Sequence, residues 1–466
     1  MQNVTLGNTA RAFFNVRMNL AAALLATTCP GAIAQEPVAQ PAPTNYDEAK
    51  VGAYELPDPF VGLDHQPVRT PQDWRSKRRP EILGLYRKYV FGVSPPAPAA
   101  SDLRCEALGR SQLDRSRRIR LQRYRLWLKG VPRPLTEIAV FTPANAAGPV
   151  PTFVSPNFLG NQSITKQFDI PVTKSWVSPH PEIGIDQNGR AGPASRGAQA
   201  SRWPLAAITG HGYGLVSFYY GDLYPDHAGG RDASIQPYFG PVRGTSYSWG
   251  AIATWAWGMS RALDCVERIP ALDASRVIAI GHSRLGKTAL WAAAQDTRFA
   301  AAISNDSGEG GAAISRRNYG ERVADLVDKF PYWFSANFAR YSGKEQQLPV
   351  DSNFLLGLIA PRPLYVASAQ DDRWSDPLGE FEGLVAATKI YEFLGYSGIG
   401  THVMPPVDHP LSGRLSYHLR SGKHDINGYD WAQFLRFADR QVVHGGSLKP
   451  GWDASQHITK AHSRSR

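Results

Sequence analysis

Cysteine is scarce in this 466-residue chain, with only Cys29, Cys105 and Cys265 present. None stands in a metal-ligand spacing, which argues against a zinc finger, zinc ribbon or iron–sulfur protein. No apolar run approaches the ~20 residues that span a bilayer. Internal repeats and sustained heptads are also missing, so solenoids and coiled coils are excluded. Basic residues exceed acidic ones, 51 to 40, but they are spread out rather than striped. That pattern reads as a solvated surface and not as a nucleic-acid interface. A preference for anionic polymers such as acidic polysaccharide stays open.

The N-terminus has the pattern of an export leader. Arg11 and Arg17 form a basic region, Met18 to Thr28 an apolar one, and Ala32-Ile33-Ala34 a small-residue cleavage site. Residues 1–34 are therefore expected to be a signal peptide, and the protein to be exported, periplasmic or secreted. Maturation removes Cys29 and takes the net charge from +11 to +9, because Arg11 and Arg17 leave with it. Cys105 and Cys265 remain; spacing alone does not decide whether they pair. Residues 35–45, with Pro37, Pro41 and Pro43, read as a tether. Residues 46–450 read as a single catalytic domain, and 451–466 as a polar tail.

Within that domain Trp74–Tyr89 reads as a helix, and residues 116–142 as antiparallel strands. Residues 170–200 read as a long surface loop. Strands at 151–155, 213–219, 277–280, 299–304 and 363–368 then alternate with helices at 249–268, 288–294 and 381–394. That alternation predicts an α/β fold with a mostly parallel sheet covered on both faces.

The stretch Gly281-His-Ser-Arg-Leu-Gly-Lys-Thr288 joins one strand to its helix, and it has two chemical readings. It fits the phosphate loop G-x-x-x-x-G-K-[ST], in which backbone N–H groups and a Lys hold a nucleotide. It also resembles a nucleophile elbow around Ser283, although the second glycine falls at Gly286 and not at position 285. Context favours the elbow. An exported protein rarely meets ATP, several strands precede this one, and a phosphate loop leaves the other strand-end groups without a task. Those groups are Asp306 and Asp372, with His424 beyond. Their order, Ser…Asp…His, is that of α/β-hydrolases. A serine hydroxyl needs an imidazole to take its proton, and the imidazole needs a carboxylate to fix its tautomer. The backbone N–H of Arg284 or Leu285, with the Arg284 guanidinium, would face the developing oxyanion. No metal or organic cofactor is needed for that chemistry. His282 reads as a packing residue, and Asp222 and Asp226 as loop-structuring carboxylates with no catalytic role.

From Leu56 to Trp431 the chain resembles the glucuronoyl esterases of carbohydrate esterase family 15. The resemblance lies in Gly281–Lys287, Ser304-Asn-Asp-Ser-Gly-Glu-Gly-Gly311, Leu348-Pro-Val-Asp351, Leu358-Ile-Ala-Pro-Arg-Pro363 and Asp372-Arg-Trp-Ser-Asp-Pro377. It implies an α/β-hydrolase fold, a three-layer αβα sandwich, and cleavage of (4-O-methyl-)D-glucuronic acid esters as in lignin–glucuronoxylan linkages. It further implies Ser283 as nucleophile, His424 as base and Arg284 at the oxyanion. Lys287, Trp374 and Glu321 match residues that contact the uronic acid. Many members carry Glu 23 residues after the serine, where this chain has the shorter Asp306; others use an Asp matching Asp372. Asp372 is expected as principal acid, with Asp306 as helper or alternative. The expected partner is the glucuronoxylan or lignin–carbohydrate ester itself, acted on by a monomer, with no nucleic acid, nucleotide or membrane. The alternatives are an acetyl xylan esterase-like enzyme on the same fold, or a catalytically weak polysaccharide-binding homologue.

Overall fold

Consecutive apolar residues in Val277–Ile280 require a strand buried on both sides. The computed structural model, which describes residues 43–240 and 247–444, puts that strand inside a nine-stranded sheet. In chain order the strands are β1 (Leu103–Asp114), β2 (Ile119–Leu128), β3 (Thr136–Pro143), β4 (Val150–Asn157), β5 (Gly214–Tyr219), β6 (Leu272–His282), β7 (Ala301–Asn305), β8 (Leu364–Ala369) and β9 (Leu415–Arg420). Across the sheet they run β1-β2-β3-β5-β4-β6-β7-β8-β9. The β1, β2, β3 and β5 ladders are antiparallel, and every pairing from β5 through β9 is parallel. This is the α/β-hydrolase arrangement. The stretches expected to be a signal peptide, a tether (up to residue 42) and a C-terminal tail lie outside the described residues.

Helices α1 (Arg79–Tyr89), α2 (Leu205–Gly210), α3 (Ala251–Val266), α4 (Arg284–Gln295), α5 (Pro377–Phe393) and α6 (Gly428–Ala438) cover the sheet. Side chains alternate along each strand, so the two faces collect separate cores. Val277 and Ala279 join the core under α1, α3, α4 and α5, whereas Ile278 and Ile280 join the one under α2 and α6. The aromatics of α3, Trp255 and Trp257, are buried in the first core, as their spacing on an apolar helix predicts.

Three features were not legible beforehand. Cys105 on β1 and Cys265 on α3 form a disulfide, with Cα atoms 5.5 Å apart and 160 residues between them in sequence. β9 (LSYHLR) and α6 are further elements outside the sequence reading; β9 carries polar residues at alternate positions yet is buried throughout, because those side chains meet partners inside the fold. The stretch 170–200 is the surface loop expected, but it is anchored: Ile170, Val177, Ile185 and Ser195 are buried, and the segment folds back on itself through short turns. Of the Pro-rich stretch, Pro43–Asn45 is held in place. The Asn45 carbonyl accepts from Gly320 N–H (2.8 Å) and that of Pro43 from Arg322 (3.3 Å).

Candidate active site

β6 ends at His282 and α4 begins at Arg284, so Ser283 alone turns the chain. Its backbone sits at φ 58°, ψ −132°, a conformation that costs a non-glycine residue of order 1–3 kcal/mol. The surroundings hold it there. Ser283 N–H donates to the Asn305 carbonyl (2.8 Å), and Ser283 C=O accepts from Gly286 N–H (2.7 Å). A side chain at Gly281 would strike the Leu285 carbonyl. One at Gly286 would lie 3.0 Å from Ser307 Cβ and 3.2 Å from the Asn305 carbonyl, because α4 crosses the end of β7 there. That crossing explains why the second glycine is displaced by one position. The two residues that would serve a nucleotide are turned to protein groups. Lys287 Nζ donates to the Ser307 carbonyl (2.5 Å) and Glu321 Oε2 (2.8 Å), and Thr288 Oγ1 donates to the Arg284 carbonyl (2.9 Å).

His424 lies in the loop between β9 and α6, and Arg420 organises that loop. Its buried guanidinium donates to the carbonyls of Ser421 (3.0 Å), Lys423 (3.0 Å) and Asp425 (2.6 Å), and it pairs with Asp430 at 3.0 Å. Nothing in the sequence singled Arg420 out, since its partners are backbone carbonyls and carboxylates brought to it only by the fold. His424 Nδ1 is 2.6 Å from Asp372 Oδ2, just beyond β8. Burial would raise the Asp372 pKa, but the hydrogen bond and charge of His424, together with hydrogen bonds from Ser375, outweigh it and hold the carboxyl below its ordinary value. With Nδ1 engaged in this way, Nε2 is the nitrogen free to accept a proton.

Asp306 is in different surroundings. It is buried behind the other two, with one oxygen 3.4 Å from Arg420 Nη2 and 3.9 Å from His282 Nδ1. Its other oxygen has no hydrogen-bond partner among the described residues. Burial, then the nearby Glu380 and Asp372, push its pKa well above the carboxylate range. Asp306, Asp372 and His424 nonetheless offer polar atoms within 4.8 Å of one another. Glu380 itself accepts from Ser307 N–H (2.7 Å), Gly308 N–H (3.0 Å) and Ser368 Oγ (2.6 Å), tying down the turn after Asp306. His282 is buried against the His424 ring, centroids 4.5 Å apart, and burial depresses its pKa far below the ordinary histidine value.

Lys287, one turn along α4 from Ser283, forms a single cluster with Glu321 and Trp374. Glu321 accepts from Lys287 and from Trp374 Nε1 (3.2 Å), and its N–H donates to the Trp374 carbonyl (2.7 Å). Ser283 lines a cleft of about 360 Å³ with Phe158, Ile183, Tyr220, Arg284 and His424, to which the 170–200 segment also contributes. A larger hollow of about 1050 Å³, beneath Pro95–Pro98, shares none of these residues. Arg284 is held by Asp226 and lies 4.9 Å from the centre of the Trp333 ring. The sequence reading gave Asp226 only a loop-structuring role, because its contact with Arg284 spans 58 positions.

Residues 206–395 match the family model described as glucuronyl esterase, fungi. A carbohydrate esterase of an unknown prokaryotic organism is 39% identical over 417 residues, covering 87% of this chain and 94% of that protein. The 4-O-methyl-glucuronoyl methylesterase of Phanerochaete carnosa is 30% identical, covering 73% of this chain and 72% of its own length. Among solved structures, a glucuronoyl esterase from Solibacter usitatus superposes with a TM-score of 0.78 at 42% identity, over 85% of this chain and all of that one.

Proposed function

Because this chain belongs to the carbohydrate esterase family 15 glucuronoyl esterases, which are carboxylic ester hydrolases, we propose that it hydrolyses esters of (4-O-methyl-)D-glucuronic acid using Ser283, His424 and Asp372. The observation that carries this reading is the 2.6 Å Asp372–His424 bond beside a serine held at positive φ in the same cleft. Ser283 Oγ attacks the C6 carbonyl while His424 Nε2 takes its proton. Asp372 fixes the tautomer and stabilises the imidazolium that results. The Arg284 N–H and guanidinium meet the charge that develops on the carbonyl oxygen. His424 then protonates the leaving alcohol, and a glucuronoyl ester remains on Ser283. Water, activated by the same histidine, releases glucuronic acid.

Lys287, Glu321 and Trp374 supply hydrogen-bonding groups and an aromatic face for the uronic-acid ring, which an acetyl group would leave unused. The cleft beside Phe158 and Tyr220 suits a bulky leaving alcohol, such as the lignin alcohols esterified to glucuronoxylan. Initial rates on methyl 4-O-methylglucuronate and on p-nitrophenyl acetate test this reading. It predicts kcat/KM at least ~100-fold higher on the glucuronate, and loss of both activities in Ser283→Ala. Equal rates on the two esters would point instead to an acetyl esterase. Glucuronate binding without turnover would point to a polysaccharide-binding homologue.

A further inference from the structure

Asp226 is a buried carboxylate to which the catalytic scheme gives no task, and three separate segments converge on it. Its Oδ1 accepts from Tyr332 Oη (2.9 Å) and Trp333 Nε1 (2.7 Å). Its Oδ2 accepts from Tyr220 Oη (2.8 Å) and from Arg284 Nη1. Four donors on one carboxylate leave it no freedom to swing, so it is a fixed anchor for whatever it holds.

It holds the residue next to Ser283. Around the Arg284 guanidinium stand the rings of Trp333 at 4.9 Å and Phe158 and Phe330 at 5.8 Å, so Asp226 is its ion-pair partner among the described residues. Its Nε is buried without an acceptor among the described residues. Burial works against the arginine's charge, and Asp226 followed by Tyr220 more than offsets it. A long flexible side chain is thereby pinned at one edge, with donors left over beside the acyl site.

We propose that Asp226 is a positioning residue for the esterase reaction. It fixes Arg284 where the oxyanion forms, and it neutralises the guanidinium in the resting enzyme. This rests on the reading of Arg284 as an oxyanion donor. The pairing matters because the reaction product is a carboxylate. An unpaired buried guanidinium would bind that anion in the ground state, which slows release without lowering the barrier. A guanidinium already paired offers its remaining donors by geometry, to the oxygen that becomes negative in the transition state.

The test is a double-mutant cycle on methyl 4-O-methylglucuronate with Asp226→Asn, Arg284→Gln and the pair, each checked for folding by circular dichroism. Asp226→Asn is expected to lower kcat by ~10²-fold, the scale of losing one oxyanion donor, with KM changed far less. On the Arg284→Gln background it should add less than a further ~2-fold, since its target is gone. Inhibition by D-glucuronate should tighten several-fold in Asp226→Asn, where Arg284 is an uncompensated cation; a structural tie alone would not do this. Losses that multiply in the double variant, or unchanged product inhibition, would overturn the proposal. An unimpaired Arg284→Gln would overturn the oxyanion reading beneath it. If Asp226→Asn does not fold, Tyr332→Phe removes one anchor and leaves the ion pair. A kcat loss of a few fold that vanishes on Arg284→Gln then supports the role, and a persisting loss refutes it.

Discussion

Asp372 and Asp306 have the same side chain in opposite surroundings, and the difference decides which one serves His424. Asp372 is bonded to the imidazole and held below its ordinary pKa; Asp306 is pushed well above it and reaches Arg420. Asp372→Asn should therefore lower kcat on a glucuronoyl ester by ~10³–10⁴-fold, as a wrong histidine tautomer does. Asp306→Asn should cost less than ~10-fold, and steady-state kinetics on the two variants compare them directly. Glu380 gives a prediction in pH. Its pKa is raised to about 7 from an ordinary 4.5 by burial, although Ser368, Ser307 and Gly308 pull the other way. The fold thus keeps a proton that the unfolded chain releases between those values, so its contribution to stability falls as pH rises from about 4.5 to about 7. Thermal melts of Glu380→Gln across that window should show a flatter decline than the wild type. An identical slope would contradict the assignment.

At the scale of elements, the disulfide joins an edge strand to a central helix. β1 pairs only with β2 among the named strands, whereas α3 is buried along almost its whole length. Closing a long loop restricts the unfolded chain, so Cys105→Ser should lose about 2–5 kcal/mol in urea unfolding with kcat nearly unchanged. Within 213–394, β5 to β8 and α3 to α5 were legible because each is a continuous apolar run or a long periodic segment. The short helices Gly230–Ala233, Val323–Lys329 and Ser352–Gly357 carry too little periodicity to show. The positions of Ser283 and Asp372 followed from strand ends, and that of His424 from the chain order Ser…Asp…His and the family resemblance. Long-range tertiary pairing was not legible. The Cys105–Cys265 bond, the Arg420 anchor of the His424 loop and the Asp226–Arg284 contact join residues whose partners are far away or are backbone carbonyls. Nothing in β9 itself foretells that its polar side chains Ser416, His418 and Arg420 are buried, since their partners sit on α6 and in neighbouring turns.

For the whole molecule, the parallel half of the sheet delivers the reacting groups to one edge, where β6, β7, β8 and β9 all end. Ser283, Asp306, Asp372 and His424 follow those four strands in that order. Ser283 and His424 line the open cleft. Lys287, proposed with Glu321 and Trp374 to meet the uronic acid, lies one helical turn beyond Ser283 on α4, so the proposed substrate has a candidate place for its sugar and for its alcohol. The reaction this arrangement is proposed to run goes through one common glucuronoyl-enzyme whatever alcohol departs. That claim is tested most directly by hydrolysing benzyl and allyl glucuronate in water containing methanol, and measuring the ratio of methyl glucuronate to glucuronic acid. A shared intermediate on Ser283 predicts the same ratio from both esters, because the alcohol has left before water and methanol compete. A ratio that changes with the leaving alcohol would contradict the account.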